Sequence, residues 1–268
     1  MASTTFINHH MVTHERWENF TQTDHNTWKI LFERQSSLLQ QRAAKEVIQG
    51  LEKLEICNDQ IPKFRDINRM LKQETGFVVV PVKGLIPEDL FFQFLSERKF
   101  PSTCFIRNSN QLDYLEEPDI FHDVFGHIPL LVHPVFADFM QLFGRKGLEA
   151  IELGMLKFAA TLYWFTVEFG LIQSTDGLRI YGGGIGSSKG ESIYCLDSEL
   201  PTRVKFNTLR VMKTQYHIDS FQRTYFVIES FQQLFDALHN LNWQEVGRTC
   251  MSFPEIAQGI ALNDQEKI

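Results

Sequence analysis

The segment EPDIFHDVFGHIPLL, residues 117–131, limits the possible folds of this 268-residue sequence more than any other stretch. Its large apolar residues require burial, and they carry His122 and His127 into the interior with them. In a regular helix two residues five positions apart point about 140° apart, so these imidazoles would not share a face. Gly126 can break the helix and Pro129 discourages its continuation, which predicts that His127 turns back towards His122. The two are either hydrogen-bonded core histidines or metal ligands.

A carboxylate in a second apolar segment is the third candidate ligand. The pattern of MLKFAATLYWFTVEF, residues 155–169, predicts a helix that Gly170 terminates, with Glu168 near its end. A lone buried carboxylate is costly, so Glu168 needs a partner unless its side chain reaches solvent from the helix end. Two imidazoles and one carboxylate form the facial set that suits Fe(II) with open positions for oxygen and substrate. Zinc accepts similar ligands, so ligand type alone does not identify the metal.

The remaining pattern predicts a mainly α-helical fold with a few short β-strands. Helices are predicted within residues 24–54, 63–76 and 86–100, and a strand within residues 77–84. Residues 177–196, GLRIYGGGIGSSKGESIYCL, predict short strands around a flexible Gly–Ser loop. This loop lacks the Gly-Lys-Ser/Thr order and the GxGxxG spacing of nucleotide-binding loops, because Lys189 precedes Gly190.

Composition and charge exclude several classes of protein. Hydrophobic residues make up 43% of the chain and 24 residues are Phe, which indicates a globular protein that can build aromatic-lined cavities. The net charge is −7 and no basic block occurs, which argues against a nucleic acid partner. The four cysteines form no CxxC pair and no run approaches the length of a membrane span. We therefore expect a cytoplasmic protein that binds small molecules, not membranes.

Three motifs in order carry a resemblance to a known family. EPDIFHDVFGHIPLL, then LYWFTVEFGL at 162–171 and YGGGIGSSKGESIYCL at 181–196, resemble the pterin-dependent aromatic amino acid hydroxylases, and among them the short bacterial phenylalanine 4-monooxygenases. The resemblance is clear from residue 76 to residue 196, continues more weakly through residues 215–231, and is faint before residue 76.

The resemblance implies one catalytic domain over residues 1–268. Within it we expect a helical N-terminal segment (1–75), a core for iron, pterin and substrate (76–200) and a C-terminal segment (201–268). The regulatory domain and the C-terminal tetramerisation helix of the animal enzymes are not expected, so the protein would be a monomer or a homodimer.

Carried over to this sequence, the resemblance also implies the site residues. Iron would be held by His122, His127 and Glu168. The tetrahydrobiopterin or related tetrahydropterin would lie near Gly84, Ile86, Glu88, Phe91, Asp123 and Tyr163. Pro87 and Glu88 stand where relatives often have small polar residues, and Asp123 where many have Glu.

The substrate residues follow in the same way. Arg107, held by Asp119, would bind the amino acid carboxylate, because a planar guanidinium can bond both of its oxygens. The aromatic ring would be held by Pro118, His122, Trp164 and Phe169. Gly184 and Ser187 would lie at the substrate end, with Ser187 bonded to an iron-bound histidine.

The implied reaction is hydroxylation of L-phenylalanine to L-tyrosine with O2, tetrahydropterin and non-haem Fe(II), through a ferryl oxygen that attacks the ring. Trp164 and the apolar Ile218 favour phenylalanine, while hydroxylation of tryptophan, of tyrosine or at another ring position remains an alternative. A 2-oxoglutarate dioxygenase is disfavoured because Val124 stands where its carboxylate would follow His122. A zinc hydrolase with the same ligands and a non-catalytic helical binding protein are the more distant alternatives.

Overall fold

The computed structural model describes residues 10–113 and 117–268 and confirms a mainly helical fold with few short strands. A short 3-10 helix at Trp17–Asn19 precedes the first α-helix, and another covers Ile128–Val132. The α-helices are α1 (Gln22–Leu39), α2 (Lys45–Lys53), α3 (Phe64–Glu74), α4 (Glu88–Ser96), α5 (Pro134–Glu152), α6 (Leu156–Tyr163), α7 (Gly183–Ser187), α8 (Lys189–Asp197), α9 (Thr208–Met212), α10 (Phe231–His239) and α11 (Trp243–Met251).

Six strands form two small sheets in the described part of the chain. The strands are β1 (Val78–Val82), β2 (Lys99–Thr103), β3 (Leu171–Ser174), β4 (Gly177–Ile180), β5 (Thr202–Lys205) and β6 (Thr224–Ile228). β1 and β2 pair in parallel, and the second sheet has the order β4-β3-β6-β5. Only β3 and β4 are antiparallel, as expected for strands that a tight turn joins.

The N-terminal helices form as the apolar spacing predicts. Thr21 and Asp24 make a reciprocal capping box that starts α1, and the buried Trp28, Leu31 and Leu39 lie along its inner face. Residues 24–54 form two helices. Helix α2 approaches the 3-10 helix at Ile128–Val132 so closely that a Cβ on Gly50 would lie 2.0 Å from the backbone oxygen of Pro129.

One hydrophobic core runs through the molecule and is rich in phenylalanine. It includes residues from Trp28 to Cys250, and its fully buried rings include Phe121, Phe125 and Phe165. Helix α5 passes through it against α4, with glycines at the points of closest approach. No helix among the described residues is long and apolar enough to cross a membrane.

Two predictions about whole segments were wrong. The Gly–Ser segment is helical, because residues 183–187 and 189–197 form α7 and α8 and only residues 177–180 are a strand. The apolar helix of residues 155–169 is regular only to Tyr163, and Trp164–Glu168 forms a wider π-turn. Both departures lie at the candidate site, where such departures from local preference are most often found.

Candidate metal centre and substrate pocket

A π-turn at His122–His127 brings the two histidines together. Because a π-turn is closed by bonds between residues five apart, it places such residues beside each other, which a regular α-turn does not. The Nε2 atoms of His122 and His127 are 3.1 Å apart and the rings are nearly perpendicular, at 75°. His127 does turn back towards His122, but through a wide helical turn and not through a break at Gly126. Gly126 instead faces α7, where a Cβ would lie 2.6 Å from the carbonyl oxygen of Gly183.

Glu168 lies at the end of the second π-turn, in which Phe169 N donates to Trp164 O over 2.9 Å. Its Oε1 is 3.3 Å from His127 Nε2, and its Oε2 is 3.8 Å from His122 Nε2. The carboxylate is 14% exposed and points at the imidazoles, not into solvent. One ligand atom from each of the three residues lies within 4.8 Å of the others. The structure thus assembles two imidazoles and one carboxylate around one point.

The charges of this cluster favour a cation. Burial raises the pKa of Glu168, but the two imidazoles and a bond from the backbone of Gly184 outweigh this and lower it to about 2. Burial lowers the pKa of His122 to about 4. Burial also lowers the pKa of His127, but the Glu168 carboxylate outweighs it and the net shift is upward. Without a metal ion, Glu168 is therefore ionised and His122 neutral, which are the forms in which these two groups bind metal ions.

Helix α7 orients the cluster from the other side. Ser187 Oγ is 2.9 Å from His122 Nδ1 and 3.4 Å from the carbonyl of Gly184. If the serine donates to that carbonyl, it accepts from Nδ1–H of His122, which leaves Nε2 free to bind a metal. A hydrogen bond of this kind is the usual support of a metal-binding histidine.

Two glycines of α7 lie against the ligands; Gly184 was expected at the substrate end, whereas the sequence reasoning missed Gly183. A Cβ on Gly183 would lie 2.4 Å from Nδ1 of His127, and one on Gly184 would lie 2.8 Å from Oε2 of Glu168. Only glycine therefore lets this backbone lie against the cluster. The run of three glycines at 182–184 is the available signal, but by itself it predicts only a flexible loop.

A buried ion pair lies beside the cluster. Arg107 Nε and Nη2 each lie 2.8 Å from a carboxylate oxygen of Asp119, and Arg107 N donates to the same group over 2.9 Å. Asp119 is fully buried and Arg107 is 8% exposed. Burial raises the pKa of Asp119, but Arg107 outweighs it and holds that pKa below its usual value. Because Asp119 also accepts from His122 N at 3.0 Å, this pair is joined directly to the metal cluster.

Two aromatic rings lie beside Trp164, one of the expected substrate residues. Its ring centroid is 4.9 Å from that of Phe169 and 4.9 Å from that of Tyr216, which the sequence reasoning did not consider. Pro118 lies one residue before Asp119, and its carbonyl accepts from Thr103 Oγ1 over 3.2 Å. Ile218, expected to influence substrate choice, is 74% exposed.

The expected pterin residues other than Asp123 fall into two groups. Phe91 and Tyr163 meet edge to face, with ring centroids 5.3 Å apart. Gly84, Ile86 and Glu88 belong to the segment that enters α4, where Ile86 packs against Val82, Leu90 and Phe94 and Glu88 is exposed.

Asp123 differs from the other expected pterin residues. Its Oδ2 accepts from Thr103 N at 2.8 Å and from Thr103 Oγ1 at 3.1 Å, and burial raises its pKa to about 7. Asp123 therefore ties the first π-turn to β2, and this oxygen is already engaged by protein groups.

Comparison with known proteins agrees with this geometry. The family model described as biopterin-dependent aromatic amino acid hydroxylase matches residues 5–267. The phenylalanine-4-hydroxylase of Chromobacterium violaceum is 54% identical over 220 residues, which cover 82% of this chain and 74% of that protein. The phenylalanine-4-hydroxylase of Ralstonia nicotianae is 54% identical over 218 residues, which cover 81% of this chain and 70% of that protein.

A solved structure shows the same fold with its cofactors. The crystal structure of Chromobacterium violaceum phenylalanine hydroxylase with bound iron(III) and the oxidised cofactor 7,8-dihydrobiopterin superposes with a TM-score of 0.90 at 48% identity. The match covers 95% of this chain and 91% of that chain. The chain belongs to the biopterin-dependent aromatic amino acid hydroxylase family.

Proposed function

We propose that this protein is a phenylalanine 4-monooxygenase, which hydroxylates L-phenylalanine to L-tyrosine with O2, a tetrahydropterin and one Fe(II). The observation that carries the proposal is the convergence of His122, His127 and Glu168, whose ligand atoms lie within 4.8 Å of one another. This donor set fits Fe(II), because two imidazoles and one carboxylate on one side of the ion leave the other positions open. The names of the bacterial relatives support phenylalanine as the substrate.

The bound cofactors would supply the oxidising chemistry, since Fe(II) and the tetrahydropterin together activate O2 for attack on the aromatic ring. The side chains would bind and orient. His122, His127 and Glu168 would hold the iron, and Ser187 would fix the tautomer of His122. Because Asp119 bonds both Arg107 and the backbone of His122, it would couple the position of the substrate carboxylate to that of the iron.

The substrate would be held at both ends. Arg107 would bind the carboxylate with the part of its guanidinium that Asp119 does not occupy. Pro118, His122, Trp164 and Phe169 would enclose the ring, with Gly184 and Ser187 at the same end. Such positioning can supply a large part of an enzyme's rate enhancement, because the reactants then react within one complex and need not meet in solution.

The pterin would occupy the region of Gly84, Ile86, Glu88, Phe91 and Tyr163, with the ring of Phe91 as a stacking surface. Phe91 is partly buried and its edge-to-face contact with Tyr163 fixes its orientation. Asp123 would act here by holding the first π-turn to β2, because its carboxylate oxygen is bonded to Thr103.

We also propose that residues 1–268 form a single catalytic domain that works in the cytoplasm as a monomer or a homodimer. The continuous hydrophobic core supports one domain. The proposed partners are L-phenylalanine, O2 and the pterin. Sedimentation of the purified protein distinguishes the two oligomeric states.

The decisive assay combines the purified protein with Fe(II), a tetrahydropterin and L-phenylalanine, with and without O2, and follows tyrosine by chromatography. We expect tyrosine only when O2 and pterin are both present, and none from Glu168→Ala. Parallel reactions with tryptophan and tyrosine test the substrate. Product from tryptophan alone would refute phenylalanine as the substrate, and no product from any of them would refute the whole proposal.

A further inference from the structure

The short helix α7 touches each of the three candidate iron ligands, through its serine and through glycine backbone that leaves no room for a side chain. A helix of five residues has little stability of its own, because most of its backbone groups lack partners within the helix. Its placement therefore depends on groups from other elements.

Two side chains hold the C-terminal end of α7. Gln35 Nε2, from α1, donates to the carbonyl of Gly186 over 2.7 Å and lies 3.4 Å from Ser192 Oγ. Ser192, from α8, donates to the carbonyl of Ile185 over 2.7 Å. The two carbonyls that immediately precede Ser187 are thus fixed by side chains that belong to neither the π-turns nor α7.

The position of Gln35 in the core indicates that its bond to α7 matters. Gln35 is 0% exposed and lies one helical turn from Leu31 and one from Leu39, both of which are also buried. At the centre of such an apolar stripe, leucine would pack without a polar group to satisfy. A buried amide is costly there unless it makes hydrogen bonds, and the shorter of the two that its Nε2 donates goes to Gly186.

We propose, on the basis of the iron site proposed above, that Gln35 is a positioning residue of the metal centre. By holding the carbonyl of Gly186, it fixes Ser187 against Nδ1 of His122 and keeps the glycine backbone of α7 against the other two ligands. Gln35 touches neither iron nor substrate. The N-terminal helical segment thereby contributes to the site, and the family model matches it as well, from residue 5 onward.

The first test measures metal binding and stability together. Gln35→Leu and Gln35→Met keep nearly the same volume and remove the hydrogen-bond donor. If one of the two variants fails to fold, the other can still be measured. Thr27→Val is the matched control, because Thr27 is also buried on α1 but bonds only a carbonyl of its own helix. Co(II) is the probe, since its visible spectrum reports the geometry of its ligands.

We expect both Gln35 variants to bind Co(II) about tenfold more weakly than wild type, with an altered visible spectrum, as is typical for loss of a residue that supports a metal ligand. Thr27→Val should keep the wild-type affinity and spectrum even if its melting temperature falls. Wild-type affinity and spectrum in both Gln35 variants would overturn the proposal, whatever their melting temperatures.

The second test asks whether Gln35 acts through Ser187. In a double-mutant cycle, Gln35→Leu should weaken Co(II) binding by a smaller factor in a Ser187→Ala background than in the wild-type background, because the Ser187 bond that it protects is already absent. Fully additive losses would contradict the proposed path. If the wild-type protein binds neither Co(II) nor Fe(II), the proposed iron site is refuted as well. Equal binding by wild type and the Gln35 variants would refute only the role of Gln35.

Discussion

Two charged clusters lie side by side in this molecule and differ in how their charges are satisfied. In the Arg107–Asp119 pair, here called the closed pair, both carboxylate oxygens of Asp119 accept hydrogen bonds from protein groups, so the charge of Asp119 is satisfied without a ligand. In the cluster of His122, His127 and Glu168, here called the open cluster, three potential ligand atoms face one another around a single point. The closed pair holds Arg107 in place for the substrate carboxylate proposed above, whereas the open cluster presents its ligand atoms to a cation, although both use buried polar side chains. What separates them is whether the protein supplies the counter-charge.

The largest expected effect comes from removing a member of the open cluster. Glu168→Ala should abolish detectable Fe(II) binding and tyrosine formation, because the carboxylate supplies the only negative charge among the three ligands. Spectroscopic titration with Fe(II) under anaerobic conditions measures the first, and chromatography measures the second. Glu52→Ala, at an exposed position on α2, is the control and should match wild type. Stoichiometric iron in Glu168→Ala would contradict the assignment.

Removing the negative charge of the closed pair should lower the stability of the folded protein. Asp119→Asn leaves Arg107 buried without its counter-charge, which should lower the free energy of unfolding by about 3–5 kcal/mol in urea titrations. Asp197→Asn is the matched control, since Asp197 also binds an arginine, Arg42, through two bonds but is exposed. Its loss should cost less than about 1 kcal/mol. Equal losses in the two variants would show that burial of the Arg107–Asp119 pair has no special effect.

Metal addition should stabilise the folded protein only when the open cluster is intact. Fe(II) at a hundred times its dissociation constant should raise the free energy of unfolding of the wild-type protein by about 2.7 kcal/mol, because the folded state binds it and the unfolded chain does not. Thermal denaturation with and without a chelator measures this effect. The same addition should leave Glu168→Ala unchanged, and an equal stabilisation of that variant would place the metal elsewhere.

The pH dependence of the closed pair is the smallest expected effect. The pKa of Asp119 is lower in the folded protein than its ordinary value of 3.8, so its contribution is complete above that value and is lost as the pH falls through the folded pKa. The difference in unfolding free energy between wild type and Asp119→Asn should therefore shrink as the pH falls below about 4. A difference that grows on acidification would contradict the ion pair.

The sequence was sufficient for the types of residue at the site and for the fold class. His122, His127 and Glu168 were candidates because polar groups in apolar runs need partners, and the helices of residues 24–54 follow from apolar spacing. Apolar spacing did not predict the π-turn that brings His122 and His127 together. The rule of 3.6 residues per turn applies to a regular helix, and the wide turn at His122–His127 depends on packing with distant elements.

The helical Gly–Ser segment shows the same limit. Glycine disfavours helix in isolation, so Gly183 and Gly184 indicated a loop. Their backbone is nevertheless helical, and it lies against His127 and Glu168, where a side chain has no space. The bond from Gln35 to Gly186 joins residues 151 positions apart, and no local pattern predicts such a contact.

The most direct test of a metal-binding open cluster beside a self-contained ion pair is crystallography of the Fe(II)-loaded protein with anomalous diffraction at the iron absorption edge. We predict one strong peak, about 2 Å from His122 Nε2, His127 Nε2 and a carboxylate oxygen of Glu168, and none at Arg107 and Asp119. A peak elsewhere, or none between these three residues in a loaded crystal, would contradict the account.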